Sequence, residues 1–115
     1  MIKIKFMVMN KPWTLRLMKT KKFKKKHGNA LGATKGWKRE IDLHPGGFDQ
    51  ETIDHEIYHA YRGEMCQDTK IEEEHGDNHE EFAAELHAKR AREMIALGED
   101  LFKQVYELTT KKRIK

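Results

Sequence analysis

The strongest pattern in the chain lies in residues 2–17, which read IKIKFMVMNKPWTLRL. Apolar and polar residues alternate from position 2 to position 8, and a period of two is typical of a strand with one buried face. The sequence NKP at positions 10–12 favours a turn, and the alternation resumes over residues 13–17. The stretch therefore predicts a β-hairpin at the start of the chain.

Beyond the hairpin, residues 37–43 alternate in the same way and predict a further strand, which the sequence HPGG at 44–47 ends. An edge strand at this place could align an extended peptide by strand addition. Asp49 is a suitable N-cap, and apolar residues spaced by three and four positions predict a first helix at about 50–62. Gly63 is the expected end of this helix.

The C-terminal half is predicted to be helical after a polar loop at 64–76. A second helix is expected to begin at Asp77 or Asn78 and to reach Gly98, and a third helix would span 99–108. Strands followed by helices indicate an α+β fold. We expect a short antiparallel sheet of three to four strands, followed by two to three helices on one of its faces.

The length and composition fit one small domain. The chain has 115 residues, of which 37% are hydrophobic, below the usual 45–50%, so its core must be small. We expect one domain over residues 1–108, with a basic β region at 1–48 and a helical region at 49–108, followed by a basic tail at 109–115. The sequence has no apolar run of about 18 residues, no apolar leader and a single cysteine, Cys66, which together predict a cytoplasmic protein without a membrane partner.

Basic and acidic residues occupy different parts of the chain. Residues 1–39 contain thirteen Lys and Arg and no Asp or Glu, whereas residues 40–108 contain all nineteen acidic residues. This segregation indicates either a polyanionic partner, for which nucleic acid is the candidate, or attraction between the two parts. Residues 19–26 are predicted to form a solvated loop. The candidate nucleic-acid contacts in it are Lys19, Lys21, Lys22, Lys24, Lys25 and Lys26.

The first predicted helix contains the sequence HEIYH at 55–59. His55 and His59 are four positions apart and project from one side of the helix, so both imidazoles can bind one Zn²⁺ at about 2.0–2.1 Å. Glu56 is placed to act as general base on the water that zinc activates, which predicts hydrolysis of a peptide bond. The alternative is a helix on which these side chains form only surface pairs.

A zinc site needs a third protein ligand, which we expect from the second helix. Small and apolar residues recur every three to four positions from Ala84 onward and predict the packing face of that helix. Glu80 continues this row and is the first candidate, with His79 second and His75, in the preceding loop, third. The alternative for Glu80 is a capping box with Asp77, and the alternative for both histidines is a solvated helix start.

Two tyrosines and one histidine have two interpretations each, and two tryptophans have one. Tyr58 and Tyr61 could donate a hydrogen bond to an oxyanion, or they could pack in the core. His87 is predicted to lie on the buried face of the second helix, where it could support a metal ligand or be a core histidine. Trp13 and Trp37 are expected to cover the sheet as core residues.

Residues 30–95 resemble the minimal core of zincin metallopeptidases, namely SprT-like (Spartan-type) and ImmA/IrrE-type proteins and small phage metallopeptidases. The resemblance is carried by HEIYH, by the preceding sequence REIDL at 39–43 and by HEEFAAEL at 79–86. It implies that the two histidines of HEIYH bind zinc, that its glutamate is the catalytic base, and that the second helix completes the site. Where the family places a ligand four residues before the Phe, this chain has Asn78.

The motif and the resemblance together predict a phage-encoded, zinc-dependent metallopeptidase with a minimal zincin-like fold, acting on a protein substrate in the host cytoplasm. Spartan-type proteases act on DNA-bound proteins, so the resemblance also fits a nucleic-acid contact through residues 1–39. The alternative class is a non-catalytic module that binds nucleic acid or a protein partner, in which zinc would be structural or absent.

Overall fold

The computed structural model describes residues 2–44, 49–66 and 79–114. Most of the turn predicted at 44–47 and of the loop predicted at 64–76 lies outside these ranges. Within them, one four-stranded sheet is accompanied by helices, so the expected α+β class is confirmed. The elements are β1 (Ile2–Val8), β2 (Lys11–Leu17), α1 (Thr20–His27), β3 (Gly32–Lys35), a 3-10 helix (Gly36–Lys38), β4 (Glu40–Leu43), α2 (Gln50–Cys66) and α3 (His79–Ile114).

The N-terminal hairpin is confirmed as β1 and β2. The two strands pair antiparallel, with Phe6 opposite Trp13, and both rings are buried in the main core. The turn lies at Met9 and Asn10, slightly earlier than predicted, and both residues have positive φ, at 50° and 66°. Two successive residues with positive φ match the tight turns that join right-twisted strands.

The sheet is mixed, so the expectation of an antiparallel sheet is wrong for one pair of strands. The strand order is β1-β2-β4-β3, in which β2 and β4 are parallel and the other neighbours are antiparallel. A parallel pair needs a crossover, and here the crossover contains α1 and β3. The loop predicted at 19–26 is therefore also wrong. Residues Thr20–His27 form a helix because Phe23 is fully buried while the surrounding lysines stay exposed.

Trp37 is 79% exposed, so its predicted place in the core is wrong. The strand expected at 37–43 is shorter, because Gly36–Lys38 form a 3-10 helix and Arg39 adopts a positive φ of 52°. This turn interrupts the alternation, and β4 begins only at Glu40. Because β4 lies between β2 and β3, it is not the edge strand that we expected. The strand at that end of the sheet order is β3.

Helix α2 begins where it was predicted. The carboxylate of Asp49 accepts a hydrogen bond of 2.7 Å from the backbone N–H of Thr52, which also lowers the pKa of Asp49. The predicted end at about 62 is wrong, because the helix continues through Gly63 to Cys66, which was expected in a loop. The residues of α2 that share the core with β1, β2 and β4 include Ile53, Ile57 and Ala60.

Helix α3 is continuous, so the two separate helices predicted at 77–98 and 99–108 are wrong, and the helix extends into the predicted tail at 109–115. Gly98, the predicted break, is buried where α3 approaches α2, and a Cβ there would collide with Asp54. The glycine thus leaves room for the carboxylate of Asp54 and does not end the helix. No helix in the described ranges is long and apolar enough to cross a membrane.

The buried side of α3 differs from the row of small residues that was predicted. Ala84 and Ala88 are exposed, and Ile95 is 59% exposed. Larger apolar residues set the packing side because their burial removes more apolar surface from water. Fully buried on α3 are Leu86, Leu101 and Val105, and partly buried are Met94, Leu97 and Phe102.

Candidate metal centre

His55 and His59 lie side by side on the exposed side of α2. Their Nε2 atoms are 3.1 Å apart, and their rings meet edge to face. Together with Glu56 they form a group in which one ligand atom from each residue lies within 4.8 Å of the others. The structure therefore brings together the three residues that the motif singled out, as a spacing of one helical turn requires.

The two histidines fit a zinc ion. Tetrahedral zinc with bonds of about 2.05 Å holds two ligand nitrogens roughly 3.3 Å apart. The observed separation of 3.1 Å between the Nε2 atoms of His55 and His59 is close to that distance. Both nitrogens must be unprotonated to bind a metal, so each ring would carry its proton on Nδ1. Both side chains are exposed, so an ion can reach them from solvent.

Glu56 is only 5% exposed, although both histidines of the motif are exposed. Strand β3 covers it, and the hydroxyl of Thr34 donates a hydrogen bond of 3.0 Å to Oε1 of Glu56. Gly32 allows the strand to come this close, because a Cβ there would lie 2.9 Å from Cγ of Glu56. The carboxylate is therefore held in one position beside the histidines, as a proton acceptor requires.

Thr34 and Gly32 are the site residues that sequence reasoning missed. They belong to the four-residue strand β3, in the sequence GATK, which is too short to show a period of two. In the sequence, only the two glycines at 32 and 36 mark this segment, and glycines are more typical of turns. Only the pairing of β3 with β4 places Thr34 against α2.

The three residues of the motif open onto a cleft of about 560 Å³. One side of the cleft is α2 and the residues before it, and the other side is the segment that enters β3. Because β3 is at the end of the sheet order, one of its edges has no partner strand within the described chain. The residues that line the cleft besides the motif are Ala30, Leu31, Gly32, Asp49, Glu51 and Thr52.

The candidates for the third ligand lie at or before the start of α3. Positions 79 and 80 are in its first turn, but their side chains and the whole of His75 lie outside the described residues. Of the row of small residues that favoured Glu80 over His79, Ala84 and Ala88 are exposed and Ala91 is half-buried, so this row is not the packing side of α3.

The structure places the two tyrosines and His87 in different environments. The ring centroid of Tyr58 lies 6.1 Å from that of His59, so Tyr58, which is part of the HEIYH sequence, lies beside this histidine. Tyr61 is buried and donates its hydroxyl to Glu93 on α3, and burial together with that carboxylate raises the pKa of Tyr61 to about 12. This hydroxyl is thus committed to α3. His87 is exposed, so its predicted place on a buried face is wrong.

Comparisons with protein-family models, with curated proteins and with solved structures find no match for this chain. The resemblance to zincin metallopeptidases therefore rests on the quoted residues alone. A function for this chain has to be argued from the geometry and chemistry of its site.

Proposed function

We propose that this chain is a zinc-dependent metallopeptidase that hydrolyses a peptide bond of a protein substrate. The observation that supports this most is the combination, in one place, of two exposed imidazoles and one buried carboxylate. Surface pairs of His and Glu on a helix do not require a glutamate that is 5% exposed and hydrogen-bonded to a neighbouring strand. The placement of Glu56 therefore favours a reaction site over incidental pairing.

Each group of the motif has a role in hydrolysis. His55 and His59 would hold the zinc ion, whose Lewis acidity activates water and polarises the scissile carbonyl. Glu56 would accept a proton during the attack on the carbonyl and donate it to the leaving amine. The hydrogen bond from Thr34 keeps this carboxylate oriented. A residue near the start of α3 would complete the ligand set.

The unpaired edge of β3 is the place where we expect the substrate backbone to bind. We predicted that a strand at 37–43 would align the peptide. The part of it that forms a strand, β4, lies between β2 and β3 and therefore has no free edge. The segment that enters β3 lines the cleft opposite the histidines. An extended peptide paired with β3 would run beside Glu56, and main-chain hydrogen bonds would fix its register.

The metal content of the purified, untagged protein tests this proposal directly. Plasma mass spectrometry should find about one zinc ion per chain after zinc is supplied, as expected for a single site. His55→Ala should lose it, since only one of the two histidine ligands then remains. His87→Ala is the matched control, because His87 is an exposed histidine on α3 outside the motif, and it should retain the metal. Absence of zinc from the unmodified chain would reject the proposal.

A second function, nucleic-acid binding, is favoured by the position of the basic residues on the sheet. Lys3, Lys5 and Arg16 alternate with core residues of β1 and β2, so they lie on the face opposite α2. Helix α1 packs against this same face, since His27 contacts Asp42 of β4. The exposed lysines at and in α1 are Lys19, Lys21, Lys22, Lys24, Lys25 and Lys26.

Binding of a labelled single-stranded oligonucleotide at increasing NaCl concentration tests this second function. The logarithm of the affinity should fall by about 0.7 per tenfold rise in salt for each phosphate contacted. Lys22→Gln combined with Lys25→Gln should weaken binding and reduce this slope, whereas Glu56→Gln should leave it unchanged. Binding that ignores salt, or that depends on Glu56, would contradict a separate basic surface.

We also propose a cytoplasmic location in a phage-infected host. This proposal is supported by the single cysteine and by the resemblance to small phage proteins. A non-catalytic, partner-binding role has no observation of its own in the described residues, and it would follow only if zinc were bound without peptidase activity.

A further inference from the structure

Trp37 is the most exposed large apolar side chain in the described ranges, at 79%, whereas the other tryptophan, Trp13, is 1% exposed. It belongs to the 3-10 helix that directly follows β3 and lies against α2. A side chain of this size usually buries about 150–250 Å², so its exposure leaves a large apolar area in water. Tryptophan is also enriched among the residues that contribute most to protein interfaces. Trp37 is therefore a candidate contact for a partner.

The turn that carries Trp37 is held in place by hydrogen bonds to two other elements. The backbone N–H of Arg39 donates to the carbonyl of Gly36 at 3.2 Å, and the carbonyl of Arg39 accepts a hydrogen bond of 3.0 Å from the N–H of Thr14 on β2. Nε of Arg39 donates a hydrogen bond of 2.7 Å to Oε1 of the buried Glu64 on α2. The exposed ring of Trp37 is thus presented by a backbone that is tied to β2 and to α2.

Leu31 is a second exposed apolar side chain, and it lies at the other end of β3. It is 48% exposed and lines the cleft onto which His55 and His59 open. Its carbonyl accepts a hydrogen bond of 3.0 Å from the backbone N–H of His44, so this end is also held in place. A strand rises about 3.3 Å per residue and a 3-10 helix about 2 Å, so Leu31 and Trp37 are roughly 17 Å apart along the chain.

Strand β3 therefore has an exposed apolar side chain at each end of its unpaired edge. A peptide that pairs with this edge would be extended, and roughly 17 Å corresponds to about five of its residues. Gly32 and Thr34, which contact Glu56, lie between Leu31 and Trp37 in the chain. A peptide bond that reaches Glu56 would therefore lie between the two side chains that these apolar residues contact.

We propose that Leu31 and Trp37 select the substrate by binding two apolar side chains of an extended segment, one on each side of the bond that is cleaved. The inference rests on the proposed peptidase function and names its substrate class. Folded proteins bury most of their apolar side chains and pair most of their backbone groups. A segment that offers two apolar side chains and a free backbone edge therefore belongs to an unfolded or partly unfolded stretch of a protein.

Binding of a labelled peptide to zinc-supplied Glu56→Gln tests this inference, because the measurement does not require hydrolysis. The leucine peptide has about ten residues, with two leucines about five positions apart and serine and threonine elsewhere. The serine peptide has serine in place of both leucines. Fluorescence anisotropy should show saturable binding of the leucine peptide and at least about tenfold weaker binding of the serine peptide, since apolar surface is no longer buried.

Variants in the same Glu56→Gln background locate the contact. Trp37→Ser and Leu31→Ser should each weaken binding of the leucine peptide about tenfold, whereas Trp37→Phe should keep most of it. Met7→Ser is the matched control, because Met7 is a 54% exposed apolar residue on β1, at the opposite end of the sheet order. The unlabelled leucine peptide should shift tryptophan emission to shorter wavelength through Trp37, since Trp13 is already buried. Circular dichroism verifies that the variants fold.

Equal affinities for the two peptides, or an unchanged affinity in Trp37→Ser or Leu31→Ser, would overturn the inference. Dimer formation in sedimentation that is lost in Trp37→Ser would also overturn it, because a second copy of the chain would then cover Trp37. Failure of the proposed peptidase function gives a different result. A chain that binds no zinc but binds the leucine peptide through Trp37 would reject hydrolysis and support the selection of apolar, extended segments.

Discussion

Two clusters of titratable residues lie on opposite sides of the sheet and are assembled in different ways. On the face that packs against α2, the residues His55, Glu56 and His59 come from a single stretch of one helix. On the other face, Asp42 of β4 collects partners from β2, α1 and β3. A cluster of the first kind is visible as a motif, because one helical turn determines its geometry. A cluster of the second kind exists only after strands and crossover have been placed.

The two clusters differ in burial, and we therefore expect them to differ in function. The histidine pair is exposed to the cleft, where a metal ion and a substrate can reach it. Asp42 is fully buried, and its contact with His27 holds α1 against the sheet. We therefore expect substitutions in the first cluster to change activity with little effect on stability. Substitutions in the second cluster should change stability and leave metal binding intact.

The largest effect is expected from Glu56→Gln. Removal of the general base should lower kcat for peptide hydrolysis by about 10²- to 10⁴-fold, while the zinc content stays unchanged. Glu99→Gln, an exposed position on α3, is the control and should leave kcat unaltered. Hydrolysis that persists in Glu56→Gln would show that the motif does not carry the activity.

Asp42→Asn should destabilise the fold by about 3 kcal/mol, because Arg16 and Lys35 would lose their buried counter-charge. Urea unfolding at pH 7, followed by circular dichroism, measures this change in the free energy of unfolding. The exposed Asp100→Asn on α3 should change it by less than about 0.5 kcal/mol. Loss of zinc from folded Asp42→Asn would contradict our expectation that metal binding does not depend on the Asp42 cluster.

The pKa of Asp42 predicts how the stability of the fold depends on pH. Burial would raise the pKa of Asp42, but hydrogen bonds from Arg16 and His27 and the nearby Lys35 outweigh it and hold this pKa well below its usual range. A lowered pKa in the folded state stabilises the fold above the unfolded value of about 3.9, and this contribution is lost as the pH falls through the folded value. Urea unfolding at decreasing pH measures this dependence. The free energy of unfolding should fall less steeply with decreasing pH in Asp42→Asn than in the unmodified chain.

Two glycine substitutions in the helices should differ in size. Gly98→Ala should change the free energy of unfolding by less than about 0.5 kcal/mol, because the gain in helix propensity is offset by displacement of the exposed Asp54 carboxylate, which the added Cβ would meet. Gly63→Ala in α2 has open space around its Cβ and should raise the free energy of unfolding by about 0.5–1 kcal/mol through its helix propensity. Thermal unfolding of both variants measures these effects. An equal gain in both variants would mean that the Asp54 carboxylate is displaced from Gly98 without cost.

A smaller effect on activity than that of Glu56→Gln is expected from Thr34→Val, which removes the hydroxyl that donates to Glu56 and keeps the shape of the side chain. Peptide hydrolysis should slow about fivefold, equivalent to roughly 1 kcal/mol for a single hydrogen bond. Thr109→Val is the control, since its hydroxyl donates only to backbone oxygens of α3, and it should leave the rate unchanged. An unchanged rate in Thr34→Val would mean that packing alone orients the carboxylate.

The features that could be predicted from the sequence depend on interactions between residues close in the chain. The hairpin followed from the alternation over 2–17, and the start of α2 followed from Asp49, whose carboxylate is within one turn of the N–H that it caps. The pairing of His55 with His59 followed from helix geometry in the same way. Each of these signals is complete within a short window of sequence.

The tertiary structure alone decided which residues the chain brings together from distant positions. Trp37 and Ile95 are apolar but exposed, because a turn and a larger competing set of apolar residues determined the buried sides. The support of Glu56 by Thr34 and the gathering of charges around Asp42 depend on strand order. Strand order reflects the total surface that the whole chain can bury, and no local stretch encodes that quantity.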